Sequence, residues 1–275
     1  MNVQQFLNSG RQKLATIRSR KLPNWTQQLR QASRHVAGQT LDLLYPPQCA
    51  DCATGLTTSQ QPMLCEPCTV KLLADRLPKC DRCASSITEL DAGAPDCIRC
   101  RKEKYQFERV LALGRYQDAL REAVLKTKYP TEEPLTRALG TLLVERFGLQ
   151  LRAWQPDVFV PIPMHWTRRL KRRGNSPDVL AEILAKQLNI ALGNGALVRR
   201  RRTQPHRELS FRERKANMRD AFSVAAGCDF RDARVVLVDD ILTTGTTCNV
   251  AARTLKKAGA AEVMVVVVAR AHVGD

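Results

Sequence analysis

The chain has 275 residues, enough for one α/β domain of ordinary size and a smaller module. Its 44 Lys and Arg against 27 Asp and Glu give a formal net charge of +17, an excess that favours polyanionic partners such as nucleic acid, a phosphate-rich ligand or an anionic surface. No apolar stretch approaches the ~20 residues of a membrane-crossing helix. The first residues lack the apolar core of a secretory signal, so the expectation is a cytoplasmic protein with reduced thiols, in which the ten cysteines are not disulfides.

Residues 1–44 carry Arg11, Lys13, Arg18, Arg20, Lys21, Arg30 and Arg34 against Asp42, with patchy helical periodicity through Leu14, Ile17, Trp25 and Leu29. They read as a basic, partly helical extension; a solvated charged tail is the commoner form of such a run. Residues 45–104 hold eight of the ten cysteines in four Cys-x-x-Cys pairs: Cys49/Cys52, Cys65/Cys68, Cys80/Cys83 and Cys97/Cys100. A pair at this spacing presents two thiolates to one ion, and two pairs close a tetrahedral Cys₄ site with no open position. The segment therefore reads as a double zinc ribbon with two structural ions. Sequential pairing joins Cys49, Cys52, Cys65 and Cys68, then Cys80, Cys83, Cys97 and Cys100; spacing alone leaves a cross-braced arrangement open. Cys228 and Cys248 stand apart and read as small packed residues.

Residues 105–275 read as the larger domain, entered through an exit segment at 105–116. Helices are expected over 118–128 and 134–147, and a buried strand over 157–162 whose end is fixed by Pro161 and Pro163. Residues 165–175 place five cations (Arg168, Arg169, Lys171, Arg172 and Arg173) between that strand and a helix over 177–188. Cations at a strand end can neutralise a pyrophosphate; a basic surface loop is the plainer alternative. Residues 199–222 open with four arginines and read either as a basic flap or as a solvated charge run.

Residues 235–247, Val-Val-Leu-Val-Asp-Asp-Ile-Leu-Thr-Thr-Gly-Thr-Thr, are the most informative segment. An apolar strand ends in two carboxylates and runs through a Thr/Gly turn into a helix expected over 249–258. Gly245 allows a tight turn in which successive N–H groups and hydroxyls converge on one phosphate, and the helix N-terminus adds its partial positive charge. Asp239 and Asp240 are placed to accept bonds from a polyol. Residues 262–269 read as the next buried parallel strand, completing a βαβ unit. A phosphate cradle beside two hydroxyl acceptors describes a ribose 5-phosphate site; a plain strand-to-helix turn capped by threonines is the alternative.

Residues 237–247 also resemble the phosphoribosyl pyrophosphate (PRPP) motif of type I phosphoribosyltransferases, matching its apolar residues, acidic pair and Thr-Thr-Gly-Thr loop in order. That resemblance assigns Asp239 and Asp240 to the ribose hydroxyls, and Thr243, Thr244, Gly245, Thr246 and Thr247 to the 5′-phosphate. Four Cys pairs, a Pro-Ile-Pro-Met-His segment, an Arg-Arg-Gly turn and a late acidic-pair loop, in this order over about residues 41–270, resemble the ComF family. The resemblance implies a type I phosphoribosyltransferase-like α/β fold, a parallel sheet flanked by helices and preceded by the zinc-ribbon module. It implies binding of PRPP with magnesium, and a part in DNA uptake or DNA utilisation through single-stranded DNA, a DNA-uptake helicase or a recombination partner. The alternative it allows is an active transferase passing ribose 5-phosphate to a nucleobase or other acceptor, with Arg168, Arg172 and Arg173 stabilising the departing pyrophosphate. Two positions depart from the family pattern. Gly174 is followed by Asn175-Ser176-Pro177 instead of an aromatic residue, Asn and Gln, and His206 stands where the family has Gln.

Overall fold

The computed structural model describes residues 46–57, 63–87, 97–163, 175–200 and 221–271. Gln48–Leu56 and Gln60–Asp275 form one compact unit; the other, Met1–Pro47 with Thr57–Ser59, lies almost wholly outside the described residues, as does the extension expected over 1–44.

The frame is a five-stranded parallel sheet in the order β1-β7-β6-β2-β3, built from β1 (Arg109–Arg115), β2 (Val158–Pro161), β3 (Ala191–Leu192), β6 (Arg234–Leu242) and β7 (Glu262–Arg270). A short antiparallel ribbon of β4 (Leu197–Arg199) and β5 (Phe222–Val224) brackets residues 201–220. The central strands are apolar throughout because both their faces are covered. Val235 and Leu237 of β6, with Val263, Val265 and Val267 of β7, pack toward α6 (Thr246–Lys257). The alternate residues Val236, Val238, Met264, Val266 and Val268 pack toward α3 (Asp118–Lys126), α4 (Glu133–Trp154) and α5 (Ser176–Leu188). Helices α4 and α5 approach closely at Gly140, where a Cβ would lie 3.0 Å from Ile183.

Several elements differ from the sequence expectation. Residues 105–116, read as an exit segment, contain the edge strand β1, whose single charged start and apolar middle gave no alternation to recognise. Helix α4 runs seven residues past Phe147, through the Leu151 and Trp154 turns, and ends where Gln155 turns left-handed at φ 51°. Helix α6 begins three residues before Asn249. The expected adjacency of the 157–162 strand and the Asp239 strand holds, with Pro161 opposite Val238.

The Cys-rich segment packs on this sheet. It consists of two copies of one device. In the first, Gln48 and Gly55 bridge around a knuckle in which Cys49 N–H donates to the Thr54 carbonyl and Ala53, at φ 60°, closes the turn onto the Cys49 carbonyl. In the second, Lys79 and Ser86 bridge, Cys80 N–H donates to the Ser85 carbonyl, and Ala84, at φ 55°, closes onto Cys80. Each knuckle is answered by a helix capped by the next Cys pair: Cys65 before α1 (Glu66–Leu72) and Cys97 before α2 (Ile98–Lys102). Asp75, Lys79 and the two copies lie against edge strand β1. Lys79 Nζ donates to the Leu113 carbonyl at 3.1 Å, and Arg115 N–H donates to Asp75 Oδ2 at 2.8 Å. Because β1 is pleated, the copies divide between the sheet faces. Cys49 and Cys68 share a core with Leu111 and Leu113, whereas Cys80, Cys83, Cys97 and Cys100 share the opposite core with Val110 and Ala112. Covering an edge strand in this way removes a template for pairing with another chain.

Candidate functional site

The order of the sheet reverses between β2 and β6, and ligands of open α/β sheets settle outside the carboxyl ends of strands at such a point. Strand β6 outruns its neighbour there. Its pairing with β2 ends at Val238, where the Ile162 N–H donates to the Val238 carbonyl at 2.8 Å, while its pairing with β7 continues to Leu242 opposite Arg270. Asp239 and Asp240 lie on the stretch that projects beyond β2.

The pleat separates the two carboxylates. Asp239 continues the row of Val235 and Leu237 toward α6, with Cys248 Sγ 4.0 Å from its Oδ2. Asp240 continues the other row, toward Lys128. Burial raises the pKa of both; for Asp239 the neighbouring Asp240 charge raises it further, and for Asp240 the Lys128 ammonium offsets part of the rise. The backbone N–H of Asp240 donates to Asp239 Oδ1 at 2.9 Å. Lys128 follows α3, whose end is tied to α5 by the Ser176 hydroxyl donating to the Thr127 carbonyl at 2.8 Å. Two carboxylates held above their ordinary pKa by burial are a site that gains from hydroxyl donors or a cation.

Beyond the carboxylates, the chain turns at Gly245, which has φ 79° and caps α6. A Cβ there would lie 3.0 Å from the Tyr105 ring, so both backbone and space require glycine. Thr246 and Thr247 form the first turn of α6. The Thr244 and Thr246 hydroxyls are 2.9 Å apart, and Thr246 N–H reaches Thr244 Oγ1 at 3.3 Å. Starting the helix at Thr246 brings the N–H groups of its first turn directly to the loop, closer than the helix start at 249 would have. Cys248 is buried, and burial pushes its thiol well above the ordinary value, in keeping with a packed residue, whereas Cys228, read the same way, is exposed after the turn at Gly227.

Sequence reasoning missed four side chains at this site. Lys128 sits in an unremarkable Lys-Thr-Lys-Tyr stretch. Tyr105 donates from its hydroxyl to the Thr244 carbonyl at 3.3 Å, and Asn249 Oδ1 accepts the Gln106 N–H at 2.6 Å. Arg270, the last residue of β7, is fully buried behind the loop. Only the last carried a signal: a charge ending an otherwise apolar strand. Arg168, Arg172, Arg173 and His206 lie outside the described residues. Arg199, from the four-arginine run, is described; it lies over the Phe222 ring, 5.6 Å from its centroid, and pulls the Asp239 carboxyl downward.

The cysteine pairs gather sequentially. Cys49, Cys52, Cys65 and Cys68 form one cluster, and Cys80, Cys83, Cys97 and Cys100 the other, with the sulfurs of each within 4.8 Å of one another. Four sulfurs about 2.3 Å from one tetrahedral ion lie ~3.8 Å apart; Cys52–Cys65, Cys80–Cys100 and Cys83–Cys97 are at 3.6, 3.8 and 3.5 Å. Thr54 holds the Cys52 thiol down to about 6, whereas burial raises Cys68 and Cys100. Such a set reaches its fully thiolate form only around a cation, and both clusters fit a metal ion.

Residues 178–274 match the phosphoribosyl transferase domain family. The chain is 31% identical over 212 residues to competence protein F of Haemophilus influenzae, covering 76% of this chain and 90% of that protein. It is 32% identical over 208 residues to DNA utilization protein YhgH of Escherichia coli K12, covering 72% and 87%. Purine phosphoribosyltransferase from Pyrococcus horikoshii is 21% identical and superposes on 47% of this chain and 77% of its own with a TM-score of 0.32. No helix of the described residues is long and apolar enough to cross a membrane. With a type I phosphoribosyltransferase-like sheet, two Cys₄ clusters on its edge and relatives matched over most of their length, the chain belongs to the ComF family, that of competence protein F and YhgH.

Proposed function

We propose that this protein binds PRPP at the carboxyl end of β6 and acts in DNA uptake or DNA utilisation, through single-stranded DNA or a partner protein. The observation that carries the reading is the juxtaposition of Asp239 and Asp240 on the overhanging end of β6 with the Gly245-capped loop and the N-terminus of α6. The ribose would lie over the strand end with one carboxylate on either side, and the 5′-phosphate would take the N–H groups and hydroxyls of residues 243–247. Magnesium fits beside carboxylates whose charge is crowded, and it would screen the pyrophosphate. Arg168, Arg172 and Arg173, which follow β2 in the sequence, would complete the anion site. The clusters at Cys49–Cys68 and Cys80–Cys100 would each hold a structural zinc ion, the metal suited to four thiolates. Metal analysis under reducing conditions is expected to return two zinc ions per chain; protein free of zinc would defeat that assignment.

The DNA part of the reading rests on the names of the relatives and on the +17 charge. Calorimetric titration with magnesium PRPP tests the ligand part. Asp240→Asn removes one charge-assisted acceptor worth ~1.5–3 kcal/mol, so affinity should fall by roughly 10- to 150-fold with the fold intact. Unchanged affinity in that variant would make the acidic pair structural.

A further inference from the structure

Arg270 is the largest fully buried side chain among the described residues and has no carboxylate partner among them. Its Nε and Nη1 donate to backbone carbonyls, while the buried Nη2 has no hydrogen-bond partner among the described residues. Nε donates to the Cys83 carbonyl at 3.0 Å, in the second cysteine cluster. Nη1 shares its two N–H groups among the carbonyls of Leu242 at 2.7 Å, of Thr243, and of Ala271 at 2.9 Å. One side chain thus ties a metal knuckle to the first residues of the phosphate loop. A second tie runs beside it. Tyr105, five residues after Cys100, donates to the Thr244 carbonyl, packs its ring against Gly245 and stacks on Phe107 at 4.6 Å. Gln106 N–H holds Asn249 in the first turn of α6.

The carbonyls of three consecutive residues, 242, 243 and 244, are therefore drawn inward. In a trans peptide the N–H of the following residue points opposite to the carbonyl. Drawing these carbonyls toward Arg270 and Tyr105 turns the N–H groups of 243, 244 and 245 outward, as an anion cradle requires. A cation held in a buried place by backbone dipoles also gains from the excess negative charge of four thiolates around a divalent ion, and the Cys83 sulfur belongs to that set.

We propose that the second cysteine cluster, Cys80/Cys83/Cys97/Cys100, is a positioning element for the phosphate loop, acting through Arg270 and Tyr105. The loop keeps its anion-binding shape when the cluster holds its metal, and a ligand in the loop in turn slows loss of that metal, since coupling between two sites is reciprocal. The ligand half of this statement rests on the PRPP reading; the loop half does not.

The test is hydrogen–deuterium exchange of peptide 242–249 in the full metal-loaded chain, in Arg270→Met, in Tyr105→Phe and in Cys80→Ser/Cys97→Ser, with magnesium PRPP titrated in parallel. Tyr105→Phe deletes one hydroxyl and keeps the ring, so it remains informative if the Arg270 or cysteine variants fold poorly. Exchange in the loop should rise about fivefold in Tyr105→Phe, the order expected for one lost hydrogen bond, and at least about tenfold in Arg270→Met, with the first cluster's metal retained. PRPP affinity should fall in the same order, and saturating PRPP should slow transfer of the second ion to a chromogenic chelator. Unchanged loop exchange in Tyr105→Phe overturns the proposal even if PRPP binds. Raised exchange in a protein that does not bind PRPP upholds the positioning role and removes the PRPP reading instead.

Discussion

Asp239 and Asp240 are neighbours in the chain, but the pleat sends one toward α6 and the other toward Lys128, so they do not have the same surroundings. The pKa of each is raised from the ordinary carboxylate value, chiefly by burial. Their protonated forms are favoured in the folded state. The stability they contribute is complete below the ordinary carboxylate pKa and is lost as pH rises through the raised values. Asp239→Asn should therefore raise the thermal midpoint at neutral pH by a few degrees while weakening PRPP binding, with the gain shrinking in acid. A midpoint that falls at neutral pH would show that the carboxylate is stabilised in a way the burial argument omits. Ala84 shows local strain of a different kind. At φ 55° its Cβ is crowded, and Ala84→Gly should stabilise the second knuckle by about 1 kcal/mol, read as a higher thermal midpoint and slower metal loss to a chelator.

Edge strand β1 shows why the cysteine clusters sit where they do. Its Leu111 and Leu113 face the core of the first cluster and its Val110 and Ala112 that of the second, so the two copies of the knuckle-and-helix unit clamp one strand from both sides. Leu113 is 1% exposed, and Leu113→Ala should cost about 2–5 kcal/mol in urea unfolding. The strand itself was hidden in the sequence because its neighbours along the chain, Tyr105 and Phe107, belong to the cluster core and blur the boundary. β6 and β7 were legible as long Val-rich runs, and the helix over 176–188 was legible from its Pro-Asp start. The Asp-Asp and Thr-Gly-Thr motif could be read because its chemistry is local. The Arg270 and Tyr105 ties could not: they join positions 27 and 139 residues apart in the chain; the register of β7 against β6 brings Arg270 to the loop, and the docking of the segment after Cys100 onto the first turn of α6 brings Tyr105. Sequential cysteine pairing likewise became clear only when each helix N-terminus met its own knuckle.

At the scale of the molecule, the +17 charge and the ligand site belong to one argument. Cation-rich segments at 164–174 and 201–220 follow β2 and link β4 to β5 in the sequence, and they carry much of the charge that a polyanion would meet. Single-stranded DNA binding should follow a straight fall of log affinity against log salt, steep enough to count several phosphate contacts. Binding that ignores salt, or is absent at low salt, would remove nucleic acid from the reading and leave a partner protein. The ribose-phosphate site at the end of β6 is the proposal on which the functional reading depends. Its most direct test is isothermal titration of magnesium PRPP into the wild-type protein beside Asp239→Asn/Asp240→Asn. The account predicts micromolar binding to the wild type that the well-folded double variant loses; equal binding by both, or no binding by a folded wild type, would contradict it.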